Sequence, residues 1–234
     1  MPRLFRTLRI YNWRRMKILN LYACLGGNRY KWDEVTDVQV TAVEWDKELA
    51  RLYQERFPND TVIVADAHQY LLDHYQEFDF IWSSPPCPTH SVTNHFLNAM
   101  GKIRYPDMML YQEIIFLQTF FKGKYVVENV VPYYEPLIPA IRRERHLYWT
   151  NFNLPNKLSC RKAPNMNMNT QQEGKTELFL KYHEIEDLVK EYKGKQPKGK
   201  LARNLVDYEA GKTILETVCG ITKQRLDNQI DLFK

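Results

Sequence analysis

From Lys17 onward, short apolar runs alternate with helical stretches, and that alternation leaves few folds open. Residues 17–23, 38–44, 61–65, 78–83, 124–128 and 146–152 each read as a strand, being short, apolar and rich in Val, Ile, Leu or aromatic residues. Residues 46–56 and 107–121 read as helices. Strands separated by helices build parallel sheets, because a parallel crossover needs a connection long enough to hold a helix. The pattern therefore predicts an α/β fold, a doubly wound and mostly parallel sheet. No internal repeat points to a solenoid.

The chain has 234 residues, 44% of them hydrophobic and 26% charged, which is enough to bury a core and excludes a wholly disordered chain. No apolar run approaches the ~20 residues of a membrane span, so no membrane partner is expected. Cys24, Cys87, Cys160 and Cys219 form no Cys-x-x-Cys pair, so no metal site is expected. Without a secretory signal pattern, the thiols are expected to be free, in the cytoplasm.

The formal charge is +5, and it is unevenly placed. Arg3, Arg6, Arg9, Arg14 and Arg15 fall within residues 1–16, which hold no acid. The rest of the chain has 28 basic and 28 acidic residues. Two readings of the basic stretch stand side by side. It is an arm on nucleic-acid phosphates, or an extension ahead of an alternative start at Met16. We expect the second.

Composition shifts after Phe152. Residues 153–176 are polar, with Asn165, Asn167 and Asn169 alternating with methionines. A helix is expected at 184–193, a basic flexible hinge at 194–200, and a helix at 207–219 that returns to the main body. The expected organisation is a basic extension (1–16), a catalytic cofactor-binding domain (17–152), a small insert (153–200) and a returning segment (201–234).

The chemistry collects at the ends of the expected strands, where open α/β sheets bind ligands. Ser84-Pro85-Pro86-Cys87 follows one apolar run and opens a polar loop, 84–106. Two prolines fix the backbone and aim the next side chain, so Cys87 is a candidate nucleophile. A loop of that length in a compact domain is usually functional. Glu128-Asn129-Val130 closes another run, and a carboxylate at the tip of a buried strand needs a task or a partner. The first run ends at Tyr22 and Ala23 before a turn at Gly26 and Gly27, where missing side chains let a ligand approach the backbone. Glu44-Trp45-Asp46 ends the second run and Asp66 follows the third. An acid after the second run suits ribose hydroxyls, and Trp45 suits a purine. In order, these pieces describe a nucleoside-cofactor site beside a nucleophile. His90 and His95 lie near Cys87, but no orienting acid and oxyanion turn accompany them, so a protease-like pair is not expected.

This succession resembles the cytosine-C5 DNA methyltransferase family over residues 17–152, and more faintly over 201–219. Arg143 and Arg145 stand at the arginines of the family's Gln-x-Arg-x-Arg, with Ile141 replacing the glutamine. Asn204-Leu205-Val206 matches its Asn-x-Val, with Tyr208 replacing the following proline. Cys24 replaces the first glycine of its Phe-x-Gly-x-Gly, and Tyr22 the phenylalanine. The resemblance implies a Rossmann-like methyltransferase fold, with residues 153–200 as a small target-recognition insert. It also implies methyl transfer from S-adenosylmethionine to C5 of cytosine. Cys87 would attack C6 of a flipped-out base, Glu128 would hold N3 and the exocyclic amine, and Arg143 or Arg145 would hold O2 and a nearby phosphate. Tyr22, Ala23, Gly26, Gly27, Glu44, Trp45, Asp66, Ala67, Pro85, Asn204 and Val206 would surround the cofactor. Double-stranded DNA is the implied partner and a monomer the expected state, in the cytoplasm of a bacterial or phage-infected cell. The alternatives are RNA cytosine-C5 methylation by the same centre, and amino methylation at N4 or N6. Amino methyltransferases share Ser-Pro-Pro but place an aromatic residue where this chain has Cys87.

The basic stretch yields a direct test. Starting the chain at Met16 should leave methylation unchanged, and plots of log DNA affinity against log salt for the two chains should be parallel. An arm gripping phosphates would steepen the longer chain's slope by about 0.9 for every phosphate it neutralises, so a clearly flatter line for the shorter chain overturns the expectation.

Overall fold

The computed structural model describes residues 15–162, 164 and 172–221. In chain order the elements are Met16–Leu21 (β1), Val38–Val43 (β2), Lys47–Arg56 (α1), Thr61–Ile63 (β3), Ala67–His74 (α2), Phe80–Ser83 (β4), Asn94–Ala99 (α3) and Met109–Phe120 (α4). They continue as Lys124–Val130 (β5), Ile141–Arg143 (β6), His146–Thr150 (β7), Gln172–Tyr182 (α5), Glu186–Lys190 (α6), Lys198–Arg203 (α7) and Tyr208–Val218 (α8).

One sheet holds all seven strands in the order β3-β2-β1-β4-β5-β7-β6. The first five strands are parallel. β7 runs antiparallel to β5, and β6 antiparallel to β7. This is the expected doubly wound, mostly parallel α/β sheet with an antiparallel edge. The chain winds outward from β1 to β3, then returns to place β4 on the other side of β1. That reversal opens a crevice at the carboxyl ends of β1 and β4.

Alternation along each strand sends neighbouring side chains to opposite faces. Leu19, Leu21, Ile81 and Val127 meet Leu71 of α2 and Leu110, Ile114 and Leu117 of α4 on one face. Ile18, Val40, Phe80, Trp82 and Val126 meet Trp32 and the Ile214 and Leu215 of α8 on the other. Because both faces are covered, all four residues of β4 are buried. Asp46, Asp66 and Asp207 cap α1, α2 and α8 by accepting backbone N–H bonds.

The stretch after Phe152 departs from the expectation. Residues 194–200 do not form a hinge: Lys198 begins α7, with Pro197 at its N-cap. Proline fits a helix start, and Leu201 and Ala202 are completely buried. They join Phe179 and Leu180 of α5, Ile185, and Val189 of α6 against Leu25, Leu49 and Leu52. The helix expected at 184–193 is shorter, and α2, α3, α5 and β6 add to the expected elements. Of the basic stretch, Arg15 and Met16 are described. Arg15 Nε donates to Asp37 and to the Val38 carbonyl, each at 3.0 Å. Residues 1–14, and Asn165, Asn167 and Asn169, lie outside the described residues.

A buried ion pair fixes the turn after β1. Arg29 Nε and Nη2 each donate to one Asp60 oxygen at 2.9 Å, and Tyr53 adds a hydroxyl donor at 2.9 Å. The side chains of Arg29 and Asp60 are 4% and 3% exposed. Asp60→Ala would strand the guanidinium and should cost about 3–5 kcal/mol in urea unfolding. Asp33→Ala, which removes the exposed partner of the same arginine, should cost about 1 kcal/mol or less. Equal losses would show that the buried pair contributes nothing special.

Candidate active site

A cleft of about 810 Å³ lies at the carboxyl ends of β1, β2, β4 and β5. Tyr22, Glu44, Trp45, Pro85, Cys87, Glu128, Asn204 and Val206 all line it. Ala23, Gly26, Gly27, Asp66, Ala67, Arg143 and Arg145 are not part of that wall.

Glu44 organises one end. It is buried, and its two oxygens accept from the backbone N–H of Cys24 at 2.9 Å and of Asp46 at 3.0 Å. Burial raises its pKa, while those amides pull it back down. A carboxylate offers about four lone-pair sites, so these amides leave acceptor capacity for a hydroxyl donor in the cleft. Trp45 is 75% exposed and forms part of the same wall. A spare carboxylate acceptor beside an uncovered indole fits a ribose and its purine, so the donor set suits a nucleoside cofactor. Tyr22 hydrogen-bonds through its hydroxyl to Glu113, a fully buried carboxylate that also accepts from Ser83 Oγ at 2.7 Å. His68 Nδ1 lies 3.1 Å from the same Glu113, and that bond raises the imidazole pKa.

The glycine turn works differently from its expected role. A Cβ on Gly26, whose φ is +67°, would meet Phe57 at 2.4 Å, and one on Gly27 would meet the Val206 carbonyl at 2.5 Å. These glycines admit α1 and the 205–206 backbone rather than a ligand. Cys24, at the family's first glycine, has φ +48°. Its thiol is buried and pushed up to about 12, by desolvation first and by Glu44 second. Ala23 and Ala67 are buried in the core. Asp66 is exposed and uses Oδ1 to cap α2 through the Gln69 N–H at 2.8 Å.

The other end carries the nucleophile. Trp82 Nε1 donates to Ser84 Oγ at 2.9 Å, and Asn129 Nδ2 donates to the Pro85 carbonyl at 3.0 Å. The Cys87 carbonyl accepts from the N–H of His90 and of Ser91, which turns the chain directly after the thiol. Cys87 is partly buried, and its pKa is raised by desolvation and then by Glu128, against opposing influences from Lys200 and Arg145. Glu128 is 6% exposed, with His146 Nε2 at 3.6 Å from Oε1.

The two arginines part company. Both belong to the β6–β7 hairpin. Arg143 donates to the carbonyls of Pro155 and Leu154 at 2.6 and 3.1 Å, so its guanidinium anchors the following segment. Arg145 follows Glu144, whose φ is +51°, and is exposed near Cys87. In the loop after Cys87, His90 is buried and its Nδ1 pairs with the Tyr134 hydroxyl at 2.6 Å. Gly101 has φ +76° with nothing within 4 Å of a built Cβ. Sequence reasoning missed Asn129, His146 and Lys200. The tripeptide around Glu128 was the signal for Asn129, whereas His146 and Lys200 reach the site only through folding.

Comparison with known proteins gives the following. A family model, C-5 cytosine-specific DNA methylase, matches residues 16–132. No curated protein sequence matches the chain. Among solved structures, EhMeth of Entamoeba histolytica is similar at 12% identity and a TM-score of 0.34, over 50% of this chain and 38% of that one. A DNMT2 mutant of Spodoptera frugiperda is similar at 24% identity and a TM-score of 0.35, over 49% of this chain and 35% of that one. A putative DNA modification methyltransferase encoded within a prophage of E. coli is similar at 19% identity and a TM-score of 0.35, over 51% of this chain and 33% of that one. The chain thus spans about a third of the length of each of these three.

The cofactor end is testable by calorimetry. Trp45→Ala should weaken binding of S-adenosylmethionine by about 1–3 kcal/mol, the scale of base stacking on an aromatic ring. Glu44→Gln should weaken it by about 1.5–3 kcal/mol, the scale of a hydrogen bond to a charged group. Unchanged affinity in both variants would move the nucleoside elsewhere.

Proposed function

The chain belongs to the C-5 cytosine-specific DNA methylase family, and from that we propose that it methylates C5 of cytosine in DNA through a covalent adduct between Cys87 and C6. S-adenosylmethionine is the cofactor, and when bound it supplies a methyl group activated by a sulfonium. The observation that carries the finer reading is the pairing of Cys87 and Glu128 in one cleft, at the opposite end from Glu44 and Trp45.

Cytosine C5 is a weak nucleophile. Addition of the Cys87 thiolate at C6 forms an Sγ–C6 bond and turns the ring into an enamine, which makes C5 nucleophilic. Glu128, taking a proton from solvent as the base enters, donates it toward N3 and accepts from the exocyclic amine, stabilising the charge pushed into the ring. After C5 takes the methyl group, loss of the C5 proton to solvent water re-forms the C5–C6 double bond and expels Cys87 as its thiolate. N3 returns its proton to Glu128. A thiolate cannot reach C6 inside a base stack, so the target base leaves the duplex first.

Lys193, Lys195, Lys200 and Arg203 line the cleft and suit backbone phosphates near its mouth. We take residues 17–152 as the catalytic part and 153–200 as the target-recognition element. Lys193 and Gln196 bind α1 through Glu48 and Asp46, so that element forms one wall of the cleft.

Cys87→Ser should lower methyl transfer on the order of a thousandfold or more, because a hydroxyl is not ionised at neutral pH. DNA and cofactor binding should persist. A duplex containing 5-fluorocytosine should trap the parent protein, with S-adenosylmethionine present, as a band stable in denaturing gels, since fluorine cannot leave as a cation. Because burial and Glu128 raise the Cys87 thiol, the thiolate fraction grows with pH. Alkylation of Cys87 by iodoacetamide should therefore keep accelerating above the ordinary thiol range. Methylation of RNA in preference to DNA, or a serine variant near the parent rate, would overturn the reading.

A further inference from the structure

Glu128 and Val130 share a face of β5, because side chains two apart on a strand point the same way. The β5–β7 ladder pairs Val130 with His146 and Glu128 with Tyr148. His146 is therefore the diagonal neighbour of Glu128, within reach of a long side chain. Its Nε2 stands 3.6 Å from Glu128 Oε1. The ring also divides two spaces. On one side is the catalytic cleft; on the other is a cavity of about 80 Å³ between the β6–β7 hairpin and residues 156–159 and 205–210. The far wall of that cavity holds His183, which is 2% exposed and has no hydrogen bond at either ring nitrogen.

The charged and titratable groups around His146 come from each neighbouring element. Glu128 belongs to β5, Tyr148 to β7, and Glu144 and Arg145 to the hairpin turn. Asp207 and His183 face it across the cavity. Desolvation lowers the imidazole pKa and outweighs the pull of Glu128, so the ring is neutral at neutral pH.

We propose that His146 is a positioning residue for Glu128: the neutral imidazole holds one carboxyl oxygen at the β5–β7 seam and leaves the other, with its proton, for cytosine N3. The inference rests on the reaction proposed for Cys87 and Glu128. In that reaction the Glu128 O–H bond breaks as N3–H forms, and it re-forms on elimination, while His146 keeps its own proton throughout.

Two variants test this, His146→Leu and His146→Gln, with duplex DNA and S-adenosylmethionine. Glutamine keeps a neutral N–H donor, whereas leucine does not. The leucine variant should lose roughly ten- to a hundredfold in kcat, the scale of a misplaced catalytic group, with KM for DNA and cofactor unchanged. The glutamine variant should recover to within about threefold of the parent near pH 8. A glutamine variant that loses as much kcat as the leucine variant, or a leucine variant at the parent's kcat, overturns the proposal. Adduct formation on 5-fluorocytosine by the parent separates the two levels. No adduct in the parent overturns the reading of the site and His146's role with it, whereas an adduct with unaltered variants overturns the role alone.

Discussion

The Asn129 side chain donates one hydrogen bond on which the catalytic end depends. β4 and β5 are parallel neighbours, with Ser83 opposite Val127. Past that register the ladder stops, and backbone groups at the strand ends need other partners. Asn129 Nδ2 takes the Pro85 carbonyl, while its Oδ1 accepts from the Val130 N–H at 2.9 Å. The amide is buried, so each of these bonds replaces one that water cannot make. One side chain thereby ties the loop that presents Cys87 to the strand that presents Glu128. Ser-Pro-Pro-Cys and Glu-Asn-Val, far apart in the chain, are halves of one structural unit.

Glu44 does the same work at the cofactor end, and it explains why Cys24 tolerates a glycine's conformation. A left-handed residue with a side chain costs on the order of 1–2 kcal/mol. The Cys24 N–H donates to Glu44 at 2.9 Å, a charge-assisted bond strong enough to offset much of that cost. The thiol that results is buried beside a carboxylate and stays protonated, so it is inert. Cys24 and Cys87 both line the cleft, yet their surroundings differ: Glu44 and Asp46 face the first, whereas Lys200 and Arg145 counter Glu128 at the second.

The central strands are legible in the sequence because a parallel strand buried on both faces must be an apolar run. β1, β2, β4, β5 and β7 all read that way. β6 is three residues long and carries two arginines, so no periodicity marks it. The helices after Phe152 are illegible for another reason. α5 buries Phe179 and Leu180 on an otherwise polar surface, and Gly-Lys-Gln-Pro-Lys-Gly-Lys has the composition of a linker. Tertiary burial of Leu201 and Ala202 overrides that composition. At the site, Cys87, Glu128, Glu44 and Trp45 are legible because each ends a strand. Arg143 and Arg145 read alike in sequence, but the positive φ of Glu144 between them sends the first into backbone carbonyls and leaves the second exposed. Gly26 and Gly27 suggest room for a ligand, whereas the room is taken by Phe57 and Val206.

In the proposed reaction the resting thiol of Cys87 is the wrong protonation state for attack. Burial and the Glu128 charge both disfavour its thiolate. A proton taken from solvent by Glu128 as it bonds cytosine N3 removes that charge, and so weakens the electrostatic objection to a second anion nearby. Lys200 and Arg145 then act on the sulfur with less opposition. The substrate thus improves the nucleophile that attacks it, and a cleft without a base keeps the thiol protonated. Such an arrangement guards the cysteine against stray electrophiles, because reactivity follows the thiolate. It also makes the Glu128 carboxylate serve both the ring and the sulfur, so its orientation affects both bonds of the first step. That is why a side chain held against Glu128 from the neighbouring strand matters more than its distance from the reacting atoms suggests.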